Sequence, residues 1–381
     1  MLFLFLSSGL FLGWSLGAND AANVFGSAVG SRMIKFRTAA IIGSIFVILG
    51  AVIQGGGASH TLGKLGSVDA MAGAFTVALA AALTVYWMTK LRYPVSTSQA
   101  IVGAIIGWNF YSGNTTDPAS LNKIVATWVS GPILGAIFSA LLFMALRKLI
   151  LKARIHLIDL DNIIRISLLV VGAFGAYSLG ANNIANVVGV FLPLAPTTDL
   201  DLGIIVLNGT QQLFLLGSVA IAVGIITYSK RVMETVGSDI MVLSSESALV
   251  VVLSQALVLF IFSSQSLSNF FQSIGLPPIP LVPVSSSQVI VGAIIGIGFV
   301  KGLNNIQFKV LGGIASGWVV TPLIAGLISF FSLFFMDNVF KLEVAKDIHN
   351  HKVMKNTNTQ LPADTIIYNS NRIKGSVLEE K

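Results

Sequence analysis

Residues 15–26 read Ser-Leu-Gly-Ala-Asn-Asp-Ala-Ala-Asn-Val-Phe-Gly, and the stretch returns at residues 178–189 as Ser-Leu-Gly-Ala-Asn-Asn-Ile-Ala-Asn-Val-Val-Gly, with nine of twelve positions identical. A second pair follows in the same order. Residues 94–107 read Pro-Val-Ser-Thr-Ser-Gln-Ala-Ile-Val-Gly-Ala-Ile-Ile-Gly, and residues 283–296 match them at twelve of fourteen positions. Two landmarks repeated in one order indicate a duplicated unit, so the fold is expected to consist of two related halves.

The composition around these repeats is that of a membrane protein. Of 381 residues, 54% are hydrophobic and only 10% are charged, whereas soluble proteins carry about 25% charged residues. Several uncharged runs, such as 247–300 and 310–336, exceed the roughly 20 helical residues that cross a bilayer. We therefore predict an all-α polytopic membrane protein. Its expected membrane segments are 2–28, 38–56, 68–89, 95–111, 122–146, 163–190, 203–228, 240–263, 284–300 and 310–336.

The basic residues predict how these segments are oriented. Lys and Arg are concentrated in the connections after odd-numbered segments, so the positive-inside rule predicts a multi-pass protein of the plasma membrane with its N-terminus outside. Five segments per unit is an odd number, so the second unit enters the membrane from the opposite side. The prediction is therefore two inverted-topology repeats of about five segments each, with broken helices or re-entrant hairpins at the midplane, as is typical of secondary transporters. The expected divisions are a first membrane repeat at 1–155, a cytoplasmic linker at 156–162, a second, inverted membrane repeat at 163–340 and a polar, mobile C-terminal tail at 341–381.

Residue content argues against several classes of function. The chain has no Cys, which excludes thiol nucleophiles, disulfides and thiolate metal sites. The His residues before the polar tail are His60 and His156, both in predicted connections, so a membrane enzyme with a nucleophile and a base is not expected. The net charge of +7 reflects basic residues that flank apolar segments rather than a nucleic-acid partner. No enzyme activity and no covalent cofactor are therefore predicted, the lipid bilayer is the expected environment, and a homo-oligomer is left open.

The first repeated motif carries side chains suited to a small, hard cation. Asp20 is the only ionisable side chain between residues 1 and 31, and a carboxylate within a membrane span is costly unless it is paired or hydrated. Na⁺ favours oxygen ligands, and a proton is the rival counter-charge. Because Gly and consecutive Asx residues weaken a helix, we expect unwound backbone to add carbonyl ligands. The predicted cation ligands are Asn19, Asp20 and Asn23 with their second copies Asn182, Asn183 and Asn186, and Glu246 is a lesser candidate for coupling.

The second repeated motif predicts an anion site. Pro94 ends the preceding helix, and the hydroxyl residues after it are of the N-cap type, so an apolar helix is expected to start inside or near the membrane. A helix N-terminus presents free N–H groups and a partial positive charge, which bind oxyanions without Lys or Arg. Inverted repeats can aim two such ends at one tetrahedral oxyanion. The predicted anion ligands are Ser96, Thr97, Ser98 and Gln99 with Ser285, Ser286, Ser287 and Gln288.

Taken together, these motifs resemble those of the inorganic phosphate transporter (PiT) family over nearly all of residues 10–336. The resemblance rests on the stretch 17–31, its partner at 180–189 and the twin Pro-Val-Ser motifs. It implies import of inorganic phosphate by alternating access, coupled to Na⁺ in most members and to protons in some. The resemblance also implies that the Asx motifs hold the coupling ions and the serine-rich motifs the phosphate.

The motifs depart from the family pattern at two places. The second Asn-Asp of the family is here Asn182-Asn183, which removes one formal negative charge and leaves the number and identity of the coupling ions open. The usual Ser-Thr-Thr-His is replaced by the sequences at 96–99 and 285–288. Because some relatives move sulfate, a sulfate permease of the same family is an alternative. A passive anion channel is a second alternative, since helix N-termini can also line a conduction path.

Overall fold

The computed structural model describes residues 2–66, 68–91, 95–153, 155–201, 203, 206–236, 243–302 and 308–346, and these are mostly helical. The helices are α1 (Leu2–Gly30), α2 (Phe36–Gln54), α3 (Gly56–Gly66), α4 (Met71–Lys90), α5 (Thr97–Ser112), α6 (Pro118–Ala153), α7 (Leu157–Val188), α8 (Gly209–Thr227), α9 (Ser229–Val236), α10 (Ser245–Ser263), α11 (Gln265–Ser273), α12 (Ser286–Lys301) and α13 (Phe308–Asn338). A 3₁₀ helix at Gly189–Leu194 follows α7. A two-residue antiparallel hairpin pairs β1 (Leu200–Asp201) with β2 (Val206–Leu207).

The long helices confirm the prediction of an all-α polytopic membrane protein, and each of the ten predicted segments overlaps mainly one helix, long or short. Seven helices among the described residues are long and apolar enough to cross a membrane, namely α2, α4, α6, α7, α8, α10 and α13. The short helices α3, α9 and α11 and the hairpin were not predicted. They are too short to give the long apolar runs from which membrane segments are identified.

Two of the helices that match predicted membrane segments are too short to cross a bilayer, and both start at the serine-rich motif. α5 and α12 have 16 residues each, which is about 24 Å at a rise of 1.5 Å per residue, less than the roughly 30 Å of hydrocarbon. Their N-cap residues, Ser96 and Ser285, are buried and extended in backbone conformation. The predicted break at this motif is therefore present in both halves, with each helix starting inside the protein.

The Asx motif, in contrast, does not break its helix, and that part of the prediction is wrong. Residues 15–26 lie within the uninterrupted α1, and residues 178–188 lie within α7. Backbone carbonyls inside a helix accept helical hydrogen bonds, so the motif contributes side-chain atoms rather than unwound backbone. Residues three and four apart share one helix face, which allows Asp20 and Asn23 to meet neighbouring helices without distorting their own.

Helices of the two halves pack against each other in matched pairs. α5 packs against α13 and α12 against α6, while α1 packs against α8 and α7 against α2. Glycine permits these approaches, because a Cβ at Gly103 would collide with the carbonyl oxygen of Pro322 and a Cβ at Gly292 with that of Pro132. Small residues at helix interfaces let backbones approach closely in lipid. The long helix from one half therefore supports the short helix of the other.

The residues after α13 fold back onto the protein. The indole N–H of Trp108 donates to the backbone oxygen of Val344 at 2.9 Å, and the backbone N–H of Lys346 donates to the Asp69 carboxylate at 3.3 Å. Val344 and Ala345 are buried. The prediction of a mobile tail is thus wrong for residues 341–346, and the rest of that predicted tail lies outside the described residues.

Candidate anion and cation site

The structure brings the four repeated motifs together in the protein interior. The side-chain amide of Asn23 on α1 donates to the hydroxyl of Ser286 on α12 at 3.1 Å, and the amide of Asn186 on α7 donates to the hydroxyl of Ser98 on α5 at 2.9 Å. All four side chains are buried. Each bond joins the Asx motif of one half to the serine motif of the other half. The site is therefore built across the two halves and does not exist within either one.

The serine motifs form two capped helix starts. The hydroxyl of Ser96 accepts from the backbone N–H of Gln99, and that of Ser285 accepts from the N–H of Gln288, each at 3.3 Å. Such caps satisfy one of the free N–H groups at each helix N-terminus. The remaining groups and the helix field favour an anion at both starts. The two starts also touch, because the Ser98 hydroxyl donates to the backbone oxygen of Val284 at 3.3 Å.

The remaining residues of the serine motifs are buried beside these caps. Thr97 follows Ser96, and its hydroxyl has no hydrogen-bond partner among the described residues. The Ser287 hydroxyl lies 3.1 Å from that of Ser285. The side-chain oxygens of Gln99 and Gln288 are likewise buried and without a partner within the described part of the chain. Buried hydroxyl and amide groups without hydrogen-bond partners are suited to bind a polar ligand, because leaving them unpaired costs free energy.

The Asx motif on α1 converges on one carboxylate. The amide of Asn19 donates to Oδ1 of Asp20 at 2.8 Å. The Ser286 hydroxyl also lies next to this carboxylate and interacts with it. Asp20 is only 2% exposed, and an ionised carboxylate so far from water needs a counter-charge. A cation held by the remaining lone pairs of Asp20 would supply it.

The Asx motif on α7 has a different set of partners. The amide of Asn186 donates to Oδ1 of Asn183 at 2.9 Å. Both ends of the Asn182 amide are bonded to backbone, with Nδ2 donating to the oxygen of Val282 at 3.1 Å and Oδ1 accepting from the N–H of Val284 at 2.8 Å. Asn182 therefore holds the extended segment that leads into α12, and its amide groups are already occupied.

Glu246 is not brought to this cluster. It lies in the first turn of α10 and interacts electrostatically with Lys301, the last residue of α12. The Lys301 ammonium donates to the Ser247 hydroxyl at 2.7 Å. These groups are at the opposite end of α12 from its serine start, about 24 Å away along the helix. Among the described residues, no hydrogen bond or ion pair links Glu246 to the predicted ligands.

Gln255 is a buried polar residue that the repeats did not identify. It lies in the middle of α10, is 1% exposed, and neither end of its amide has a partner among the described residues. The neighbouring Ala256 and Val252 approach the position of Gly175 on α7, where Val24 of α1 also lies. Gln255 was overlooked because it is not duplicated. Its signal in the sequence is that it is the only side-chain amide between residues 247 and 264, in an otherwise mostly apolar stretch.

Comparison with known proteins gives one consistent family. A sequence profile described as the phosphate transporter family matches residues 16–329. A protein of Methanocaldococcus jannaschii named as a phosphate permease is 32% identical, over 83% of this chain and 91% of that protein. The sulfate permease CysP of Bacillus subtilis is also 32% identical, over 84% of each chain.

A solved structure has a similar fold. It is described as the sodium-dependent phosphate transporter, and it aligns with a TM-score of 0.68 and 22% identity over 88% of this chain and 98% of that one. At that identity the likeness concerns the fold. The family match covers both repeated motifs, and it confirms the prediction of a transporter rather than an enzyme. The chain belongs to the phosphate transporter family.

Proposed function

We propose that this protein is a secondary active transporter that imports inorganic phosphate together with Na⁺ by alternating access. The observation that carries the proposal is the pair of hydrogen bonds from Asn23 to Ser286 and from Asn186 to Ser98, which join an Asx motif to a serine motif across the two halves. The solved relative's description as sodium-dependent supports Na⁺ over a proton as the coupling ion.

The anion is proposed to bind between the starts of α5 and α12. The two motifs contain no Lys or Arg, so backbone N–H groups, hydroxyls and the two helix fields would bind the oxyanion. The free side-chain oxygens of Gln99 and Gln288 can accept hydrogen bonds. Hydrogen phosphate carries an O–H that such an acceptor can bind, whereas sulfate is fully deprotonated. This match favours phosphate.

Coupling is proposed to act through Ser286. This residue interacts with Asp20 and Asn23 on one side and forms the first turn of α12 on the other. A cation at Asp20 would neutralise the carboxylate next to the anion site, so the anion would bind beside a neutral pair instead of a bare negative charge. Each ligand therefore raises the affinity for the other, and the effect is reciprocal.

The matched packing of the two halves supports an alternating-access mechanism. We propose that the halves, divided at 1–155 and 163–340 with a linker at 156–162, are inverted repeats that rock around the shared site. The N-terminus is then outside and the linker is cytoplasmic, in the plasma membrane of the cell. Equivalent helix pairs, such as α5 with α13 and α12 with α6, would be exchanged between the outward-open and inward-open states.

The test is uptake of labelled phosphate into proteoliposomes that hold the purified protein, under separate inward gradients of Na⁺ and of protons. The proposal predicts accumulation above the external concentration only with the Na⁺ gradient, and collapse of that accumulation by a Na⁺ ionophore. Phosphate entry that equilibrates without accumulating would refute coupled transport and support a passive channel. Accumulation driven by the proton gradient alone would refute Na⁺ as the coupling ion.

Sulfate is a second candidate substrate. The 32% identity with a sulfate permease supports it. Excess unlabelled sulfate in the same uptake assay distinguishes the two. If excess sulfate does not reduce the uptake of labelled phosphate, phosphate is the substrate. If labelled sulfate is taken up and excess phosphate does not inhibit that uptake, the primary assignment is overturned.

A further inference from the structure

We infer that the two repeated Asx motifs bind different ligands: the α1 motif binds the single coupling cation, and the α7 motif binds no cation and instead donates an N–H of Asn183 to the transported anion. The inference rests on the proposed function and adds the number of cations and a specific anion contact. It follows from the direction of the hydrogen bonds at equivalent positions of the two halves.

In the α1 half the hydrogen bonds run towards a carboxylate. The Asn23 amide donates to Ser286, and because that hydroxyl oxygen accepts from Asn23, its proton is free to point at Asp20. Asn19 donates to the same carboxylate from the other side. An ionised carboxylate can only accept hydrogen bonds. The chain of bonds therefore ends on acceptor lone pairs and a negative charge, which is what a cation requires.

In the α7 half the bonds run in the opposite sense. The Ser98 hydroxyl has one proton, and it is donated to the backbone oxygen of Val284, which can only accept. Ser98 must therefore accept from Asn186, which fixes the Asn186 amide with its nitrogen towards Ser98. The same nitrogen donates to Oδ1 of Asn183. That bond in turn fixes Asn183 with its own nitrogen directed away from Asn186.

Asn183 consequently presents a free donor, whereas the one acceptor beside it that lacks a partner in the described part of the chain, Oδ1 of Asn186, is a single neutral oxygen with no carboxylate in its motif. Nδ2 of Asn183 is buried and has no partner among the described residues, and the side chain is 1% exposed. An N–H donor repels a cation and binds an oxyanion. If the Asn183 amide were flipped, its NH₂ group would face the NH₂ group of Asn186. The backbone oxygen of Val284 therefore fixes the direction of each hydrogen bond from Ser98 through Asn186 to Asn183. A second cation site at this position would need a carboxylate that this sequence lacks.

The experiment compares the wild type with Asn183→Asp in proteoliposomes by counting labelled Na⁺ and labelled phosphate taken up together. We expect one Na⁺ per phosphate in the wild type and a ratio that rises by one in Asn183→Asp, because the new carboxylate still accepts from Asn186 but offers cation ligands in place of the donor. Asn269→Asp, which adds the same charge at an exposed position of α11, is the matched control and should leave the ratio unchanged.

A second variant keeps the inference testable if Asn183→Asp does not fold. Asn183→Ala removes the donor without adding charge, so the Michaelis constant for phosphate should rise about 10- to 100-fold, as for loss of a hydrogen bond to a charged group. The Na⁺ ratio should stay at the wild-type value. An unchanged Michaelis constant, or a wild-type ratio of two with no further rise in Asn183→Asp, would overturn the inference. If the wild type showed no Na⁺-driven uptake at all, the proposed function itself would be refuted.

Discussion

Replacing Asp20 by Asn is expected to abolish Na⁺-coupled uptake while leaving the protein folded. The amide oxygen can still accept from Asn19 and from Ser286, so the hydrogen bonds that tie α1 to α12 survive. The substitution removes the negative charge of Asp20, which is the only formal charge among the predicted cation ligands of the two Asx motifs. The substitution therefore separates the charge of the cation site from its shape.

The size of the effect follows from the burial of this carboxylate. Two opposite unit charges 4 Å apart attract by about 4 kcal/mol at an effective dielectric constant of about 20, and Asp20 is 2% exposed, so water screens the attraction little. Because 1.4 kcal/mol corresponds to a tenfold change in affinity, the variant should bind Na⁺ roughly 1,000-fold more weakly. Phosphate uptake under a Na⁺ gradient should then fall to the level of empty liposomes.

The assay measures Na⁺-dependent phosphate uptake together with Na⁺ binding to the purified protein by tryptophan fluorescence. Asp161→Asn, which removes the same charge from an exposed position on α7, is the matched control and should transport normally. Size-exclusion chromatography verifies that both variants are folded. If Asp20→Asn retained Na⁺ stimulation with wild-type affinity, the assignment of this carboxylate to the cation would be wrong.

Three further variants test other parts of the structure. Gly292→Ala should lower the free energy of unfolding in detergent by about 1–3 kcal/mol, because its Cβ would collide with the carbonyl oxygen of Pro132, whereas Gly63→Ala, which meets no atom within 4 Å, should be neutral or slightly stabilising. Asn182→Ala should raise the Michaelis constant for phosphate at least tenfold with an unchanged Na⁺ ratio, since it frees the segment before α12, and a changed ratio would contradict this positioning role. Gln255→Leu should raise the thermal unfolding temperature, because removing an unpartnered buried amide relieves about 1–3 kcal/mol, and a drop in both stability and uptake would show that this amide has a structural partner in the folded protein.

The sequence alone was sufficient for the class of fold and for naming polar residues that the structure brings together. Long uncharged runs can only be satisfied in a bilayer as helices, so the membrane segments followed directly from composition. The duplicated motifs marked which polar residues matter, because a costly buried carboxylate and two hydroxyl-rich helix starts are visible without coordinates. The short helices α3, α9 and α11 could not be predicted from the sequence, because their sequences lack an apolar run long enough to cross a membrane.

The tertiary structure decided which residues meet and in which direction their hydrogen bonds run. In sequence, Asn182 and Asn183 are adjacent and chemically identical, yet in the fold Asn182 is bonded at both ends to the backbone of residues 282 and 284, while Asn183 keeps a free donor. Equivalent positions of a repeat look alike in sequence because they share residue types. Their roles differ in the structure because a hydrogen bond has a direction, and that direction is set by distant partners such as the Val284 carbonyl, which the order of residues along the chain does not reveal.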